Sequence, residues 1–254
     1  MKNRDVIVVH SSKEVEKIKK SCKLAKETLD FISEFVQVGV TTLFLNDKIE
    51  EFIIKNGAIP APLNYHGYPK ATCISLNEVI CHGIPNETIL KEGDILNIDV
   101  TTILDGYHGD TSRMFYVGEI SSEAKDLLDI TKKCLEIGIA QVKPNNRFSE
   151  IAKEITRFAE SNGYSVVSSF VGHGIGKHFH MPPHVYHYYD KEVVDTRKML
   201  PGYIFTIEPM ICQGKPEAII DEDKWTARTI DGKLSAQYEH QVLVTMNGVE
   251  ILTE

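Results

Sequence analysis

The sequence is short of basic charge, of paired cysteines and of long apolar runs, and each shortage removes a class of function. Its 254 residues carry 28 Lys and Arg against 36 Asp and Glu, a formal net charge of -8. No general basic field is available to displace the counterions of DNA. The five cysteines, Cys22, Cys73, Cys81, Cys134 and Cys212, are odd in number and include no C-x-x-C pair. Neither a disulfide framework nor a structural zinc site is indicated, and they read as buried thiols. No stretch reaches the roughly 18 apolar residues of a membrane span, and the apolar run in MKNRDVIVVHSS is too short for a secretion signal. A cytoplasmic protein that stays off the membrane is expected. H-E-x-x-H and E-x-x-H are missing too, which counts against zincin and di-iron bundle chemistry. GHGIG is spaced G-x-G-x-G, so it is not a dinucleotide fingerprint.

What is present begins with a core: 42% of the residues are hydrophobic, enough for an ordinary globular fold. The segment NIDVTTILDGYHGDTSRM, residues 97 to 114, alternates like two strands around Asp105-Gly106. Asp and Gly tolerate the positive φ angles of a two-residue hairpin turn. That turn sets a register in which Asp99 faces Ser112 and Thr101 faces Asp110. Asp99 and Asp110 are then diagonal neighbours on one face, with Cβ atoms roughly 7 Å apart. Two carboxylates so close do not both stay ionised without a cation. From these residues alone, a hairpin carrying two solvated Asp reads equally well.

Ser11-Ser12 opens a capped amphipathic helix to about Glu34, made locally basic by Lys17, Lys19, Lys20, Lys23 and Lys26. A solvated face explains that charge more simply than a docking surface. A second helix is predicted over Leu45 to Lys55, ended by Asn56-Gly57. Pro60 to Pro69 reads as an irregular loop, followed by strands at Thr72–Leu76 and Val79–Pro85 that leave the His82 ring exposed. A lone His in such a place is ordinarily just a hydrogen-bonded residue. Ser121-Ser122 opens another long helix to about Val142, and Phe148 to Glu160 a shorter one ended by Asn162-Gly163. The order of long helix, short helix, Asn-Gly and strands thus recurs about 110 residues later. This predicts one unit of two related halves, roughly 1–120 and 121–254, whose strands join in one curved sheet with helices outside. Chance likeness of two helix pairs is the alternative.

His173, His178, His180, His184 and His187 are five of the ten histidines, gathered in one window. Glycines 172, 174 and 176 around His173 would let a metal or substrate approach the backbone. Glu208 lies between an apolar run and Pro209, and Glu239 lies within SAQYEHQVLVT, on one face with Gln241 and Leu243. An acidic residue inside an apolar strand is costly unless paired or bound to metal. Asp99, Asp110, His173, Glu208 and Glu239 are therefore candidate ligands. Four carboxylates balance two divalent ions, and a pair of ions roughly 3.5 to 4 Å apart suits metal-assisted hydrolysis. Manganese, iron, cobalt and zinc all accept this donor set.

CHGIP, NIDVT, HGDTSRMF, GHGIGKHFH, FTIEPM and SAQYEH, in this order across nearly the whole chain, closely resemble the type I methionine aminopeptidases. The resemblance implies an α+β pita-bread fold with a curved, mainly antiparallel sheet, a single catalytic domain over 1–254, and removal of the initiator methionine of nascent chains before a small second residue. It implies that Asp110 and Glu239 bridge two metals, that Asp99 serves one and His173 with Glu208 the other, and that a hydroxide shared by them attacks. Glu208 would move the proton, His82 would meet the scissile amide nitrogen, and His180 would bind the carbonyl oxygen. A methionine pocket maps onto Tyr65, Tyr68, Cys73, Phe179 and Trp225, with His82 and His180 also binding substrate. A backbone site for Na or K maps onto Asn77, Val79 and Ser235. The segment HMPPHVYHYYDKEVV departs from the usual pattern, and Pro62 and Phe170 stand where some relatives carry Cys and Tyr, so the pocket rim is the part in question. A monomer is expected, with transient ribosome contact through the lysine-rich helix. The competing readings are an Xaa-Pro aminopeptidase or dipeptidase on the same scaffold, and a non-catalytic binding protein of that fold.

Overall fold

The computed structural model describes residues 6–254, so the start of the segment read as too short for a secretion signal, residues 1–5, lies outside the described residues. Ile18, Cys22, Ala25, Leu29 and Ile32, spaced by threes and fours, form the buried stripe of α1 (Ser12–Ser33). Its N-terminus is a reciprocal capping box. The Ser11 hydroxyl accepts from the Glu14 amide, and the Glu14 carboxylate accepts from the Ser11 amide at 2.9 Å. Helix α2 (Thr42–Lys55) begins before the expected Leu45 because Thr41 accepts from the Phe44 amide and supplies a cap. It ends at Asn56-Gly57, where Gly57 takes φ +76°. Helices α3 (Ser122–Ala140) and α4 (Phe148–Ser161) follow the same long-short order, the first capped by Ser121. Among the described residues, no helix is long and apolar enough to cross a membrane.

Between the helix pairs lie β1 (Ile59–Pro60), β2 (Cys73–Leu76), β3 (Val79–Cys81), β4 (Ile95–Leu104) and β5 (Tyr107–Tyr116). The proline-rich stretch is irregular apart from β1 and a 3-10 turn at Tyr65–Gly67. After α4 come β6 (Ser165–Val166), β7 (Gly172–Gly174), β8 (Met181–Val185), β9 (Ile204–Ile207), β10 (Met210–Cys212), β11 (Ala218–Ile220), β12 (Ala227–Thr229), β13 (Ser235–Gln237), β14 (His240–Val244) and β15 (Val249–Ile251). The fold is α+β and its strand pairings are antiparallel. The sheet expected as one continuous surface comes as four ladders: β4 flanked by β5, β1 and β2; β13-β10-β6; β11-β12-β3; and β15-β14-β9-β7-β8. The run SAQYEHQVLVT, read as one strand, is divided at Tyr238-Glu239 because β13 pairs with β10 and β14 with β9.

Asp105 and Gly106, at φ +52° and +79°, make the predicted two-residue turn, and the register is the predicted one: Asp99 faces Ser112 and Thr101 faces Asp110. Helix α1 clamps this hairpin. Ser21 Oγ lies 2.8 Å from Thr102 Oγ1, which donates to the Ser21 carbonyl at 3.0 Å, and Gly109 passes so close that a Cβ there would lie 2.3 Å from the Cys22 nitrogen. Leu29, Leu45 and Ile49 of α1 and α2 pack on Ile98 and Val100, while Leu127, Leu135 and Ile151 of α3 and α4 pack with Phe205, Ile207 and Val242. The two ladders meet where Glu239 donates its amide to the Ser112 carbonyl at 3.1 Å.

Candidate metal centre

Strand parity decides which side chains reach the seam between those ladders. On β4, Ile98 and Val100 enter the core, so Asp99 and Thr101 project from the other face. On β9, Phe205 and Ile207 are core, and Thr206 and Glu208 turn away from it. On β14, Val242 and Val244 are core and Gln241 is not. The described residues bring Asp110, His173 and Glu239 together with ligand atoms all within 4.8 Å of one another. Glu208 joins through His173, whose Nε2 lies 3.6 Å from Asp110 Oδ2 and 3.7 Å from Glu208 Oε1. Asp99 lines the same cavity but stands outside the tight trio. His173 Nδ1 lies 3.1 Å from the Gly174 carbonyl, so it carries the ring hydrogen and leaves the Nε2 lone pair facing the carboxylates.

Uncharged neighbours hold these groups. Thr101 donates to Asp110 Oδ1 at 2.7 Å, Thr206 to Glu208 Oε1 at 2.7 Å, and Gln237 to Glu208 Oε2 at 3.2 Å. Gln241 Oε1 accepts from the Asp110 amide at 3.0 Å, and His187 Nε2 accepts from the Glu208 amide at 3.0 Å. Among the described residues the ion-pair partner of the four carboxylates is the His173 imidazole alone. Burial pushes all four carboxyls up, and charge repulsion from Asp110 and Glu208 adds to the rise at Asp99 and Glu239. Burial, then the neighbouring His180, pushes His173 down to about 3. Buried carboxylates with a neutral imidazole and no basic side chain to balance them are a donor set suited to divalent cations.

The five residues open on a cavity of about 560 Å³ whose wall also includes Tyr65, Tyr68, Cys73, His82, Phe179, His180 and Trp225. Tyr68 meets Trp225 edge-on with centroids 5.2 Å apart, and Phe179 stacks on His180 at 4.3 Å. Burial pushes the Cys73 thiol up, so it is an uncharged wall. His82, expected to be exposed, is half-buried at φ +56°, its ring edge-on to Phe170 at 5.4 Å and to Trp225 at 6.3 Å. Burial lowers its pKa. At the proposed monovalent site the Ser235 amide donates to the Asn77 carbonyl at 3.0 Å, while Val79 lies in β3 opposite Arg228.

Sequence reasoning missed several supports. Thr206 and Gln237 each stand two residues before a candidate ligand, at the end of a strand, so period-two parity would have found them; Gln241 is expected on the face of Glu239, but not as the acceptor of the Asp110 amide. His187 left no such signal. The glycines beside His173 serve a different end from the one expected. A Cβ at Gly172 would lie 2.5 Å from the Thr206 carbonyl oxygen, at Gly174 2.1 Å from that of Pro182, and at Gly176 2.5 Å from the His10 ring, so they admit neighbouring chain segments.

The sequence matches metallopeptidase family M24 over residues 16–246. It is 50% identical over 250 residues to methionine aminopeptidase A of Synechocystis sp., covering 98% of each chain. It is 48% identical over 252 residues to a methionine aminopeptidase of Haemophilus influenzae, covering 97% of this chain and 92% of that one. The fold superposes on the crystal structure of methionine aminopeptidase from Rickettsia prowazekii with a TM-score of 0.94 at 47% identity, over 98% of this chain and all of the other.

Proposed function

The chain belongs to metallopeptidase family M24, and on that premise we propose that it is a type I methionine aminopeptidase, which removes the initiator methionine from peptides and nascent chains when the next residue is small. The observation that carries this reading is the convergence of Asp110, His173 and Glu239 at the floor of a cavity walled by Tyr65, Tyr68, Phe179 and Trp225. Acidic groups beside aromatic edges suited to a thioether, in one cavity, fit a methionine bearing the scissile bond.

Asp99, Asp110, His173, Glu208 and Glu239 would hold two divalent ions, cobalt, manganese, iron or zinc. Such ions lower the pKa of water and polarise a carbonyl. Glu208, buried and held by Thr206 and Gln237, accepts the proton of the attacking water and passes it to the leaving amine. His82 faces the scissile nitrogen, and His180 donates to the carbonyl oxygen as charge grows there. Asn77, Val79 and Ser235 would supply backbone oxygens to one Na or K. The chain is one catalytic domain of two halves, roughly 1–120 and 121–254, acting as a cytoplasmic monomer. The ribosome contact through α1 has narrow support: Lys19, Lys23 and Lys26 are paired with Glu250, Glu27 and Asp30. Unchanged ribosome co-sedimentation after charge reversal at Lys17 and Lys20 would dispose of it.

The test is hydrolysis of Met-Ala-Ser beside Xaa-Pro peptides by the metal-loaded protein. Release of methionine with no Xaa-Pro turnover is expected. The reverse preference would assign the chain to the proline-specific activity, and inactivity on both with metal bound would leave a binding protein.

A further inference from the structure

His180 has a hydrogen-bonding arrangement that its place in the pocket wall does not require. Its Nδ1 lies 2.8 Å from the Tyr65 hydroxyl, and among the described residues Nε2 has no protein partner. Phe179 stacks on the ring at 4.3 Å, His173 meets it edge-on at 4.3 Å and Tyr65 tilts against it at 5.2 Å, so three rings hold the imidazole. Tyr65 is itself braced by His66, whose ring meets it edge-on at 4.3 Å.

A neutral imidazole has a hydrogen on one nitrogen and a lone pair on the other. With the hydrogen on Nδ1, Nε2 would turn a lone pair toward a substrate carbonyl and repel it. With the hydrogen on Nε2, the ring is a donor. The Tyr65 hydroxyl has no other protein acceptor among the described residues, so Nδ1 is the protein group to which its hydrogen can be given. We infer that Tyr65 is a positioning residue: its hydroxyl donates to His180 Nδ1, holds the ring as the Nε2–H tautomer and so keeps a donor aimed into the cavity at the carbonyl oxygen of the scissile bond. A phenol, with an ordinary pKa of about 10, holds that hydrogen at neutral pH. The inference rests on the aminopeptidase reading and gives Tyr65 a role beyond lining the methionine pocket, since the aromatic ring would suffice for packing.

The experiment compares the metal-loaded full chain with Tyr65→Phe on Met-Ala-Ser, alone and in a His180→Gln background. The Phe ring keeps the pocket wall, so KM should stay within about twofold while kcat falls about 5- to 30-fold, the range for one lost hydrogen bond to a reacting group. A Gln amide donates without any choice of tautomer, so Tyr65→Phe should change kcat by less than about twofold in that background. Proton–nitrogen spectra of the metal-free, histidine-labelled chain should show His180 protonated on Nε2, and a mixture of tautomers in Tyr65→Phe. Unchanged kcat in the single variant, an equal loss in both backgrounds, a raised KM at constant kcat, or a parent His180 protonated on Nδ1 would each overturn the inference. No turnover by the parent would instead remove the aminopeptidase reading, and the nitrogen spectra would still report on the tautomer.

Discussion

Gly109 sits one residue before a metal-ligand candidate, and its replacement by Ala tests whether α1 and the hairpin share a fixed spacing. The new Cβ would lie 2.3 Å from the Cys22 nitrogen and from the Ser21 carbonyl carbon, and 2.6 Å from Cys22 Cα. These are backbone atoms of α1 and cannot rotate away. Ordinary carbon contacts begin at about 3.5 Å, so the helix must lift by about 1 Å. The lift loosens the Ser21 hydroxyl from the Thr102 carbonyl, now 3.0 Å away, and the Thr102 hydroxyl from the Ser21 carbonyl, also 3.0 Å away. Two such bonds cost about 1 kcal/mol each and overpacking adds about 1–3 kcal/mol, so about 3–5 kcal/mol is lost. For a chain of this size that lowers Tm by about 6–20 °C. Thermal unfolding of the metal-loaded protein measures it, with Gly106→Ala as control. That glycine has φ +79° and nothing within 4 Å of its Cβ, so only a backbone cost of about 1 kcal/mol applies. A Gly109→Ala protein melting within about 2 °C of the parent would refute the packing argument.

Glu208→Gln keeps the shape of the side chain but cannot carry a proton, so kcat should fall at least 100-fold while circular dichroism is unchanged; near-normal turnover would remove its proton role. His82→Ala and His180→Ala should lower kcat by about 10- to 1,000-fold with metal content by atomic absorption unaltered, and metal loss in either would make it a ligand. Chelated protein should lose stability as pH rises, because carboxyls whose folded pKa is raised stabilise the fold while protonated and cease to do so as they ionise. Asp110 and Glu208 place the loss toward about pH 7 and 8. His173, lowered by burial, weakens the fold only as pH falls below its ordinary 6.5, so urea melts between pH 6.5 and 8 isolate the carboxyls. A pH-independent midpoint in chelator would count against an uncompensated acidic cluster.

The hairpin was legible to the residue because its turn needs two consecutive positive φ angles, and Asp105-Gly106 tolerates them; once a two-residue turn is set, every facing pair follows. The convergence of the candidate ligands Asp110, His173 and Glu239 was legible for a related reason: an acid at a core-strand position has few physical excuses. What escaped depends on neighbours far along the chain. The glycines at 172, 174 and 176 are explained by Thr206, Pro182 and His10, and no local pattern names those partners. The break at Tyr238-Glu239 comes from a change of pairing partner in an otherwise uninterrupted apolar run. Phe170, Met181, Pro182 and His184 do line the cavity, but only the likeness to a family put them at its rim; their own spacing does not, because the course of their segments is set by tertiary packing.

The seam itself shows how such a centre can be kept without a metal-independent charge balance. Asp99 and Asp110 come from the hairpin, while His173, Glu208 and Glu239 come from the other side, so carboxylate repulsion acts directly across the junction it would open. The bonds that close the junction are uncharged: Asn97 Nδ2 to the Gln237 carbonyl at 2.8 Å, Thr111 Oγ1 to the Glu239 carbonyl at 2.8 Å, the Asp110 amide to Gln241 Oε1 at 3.0 Å, and the Glu239 amide to the Ser112 carbonyl at 3.1 Å. None of them titrates between pH 4 and 9, so the geometry survives changes in the protonation of the acids. Lysine or arginine in their place would also close the seam, but it would occupy the carboxylate oxygens that a cation needs. Neutral clamps therefore keep the acids converged without neutralising them, and the charge that would attract a cation is retained.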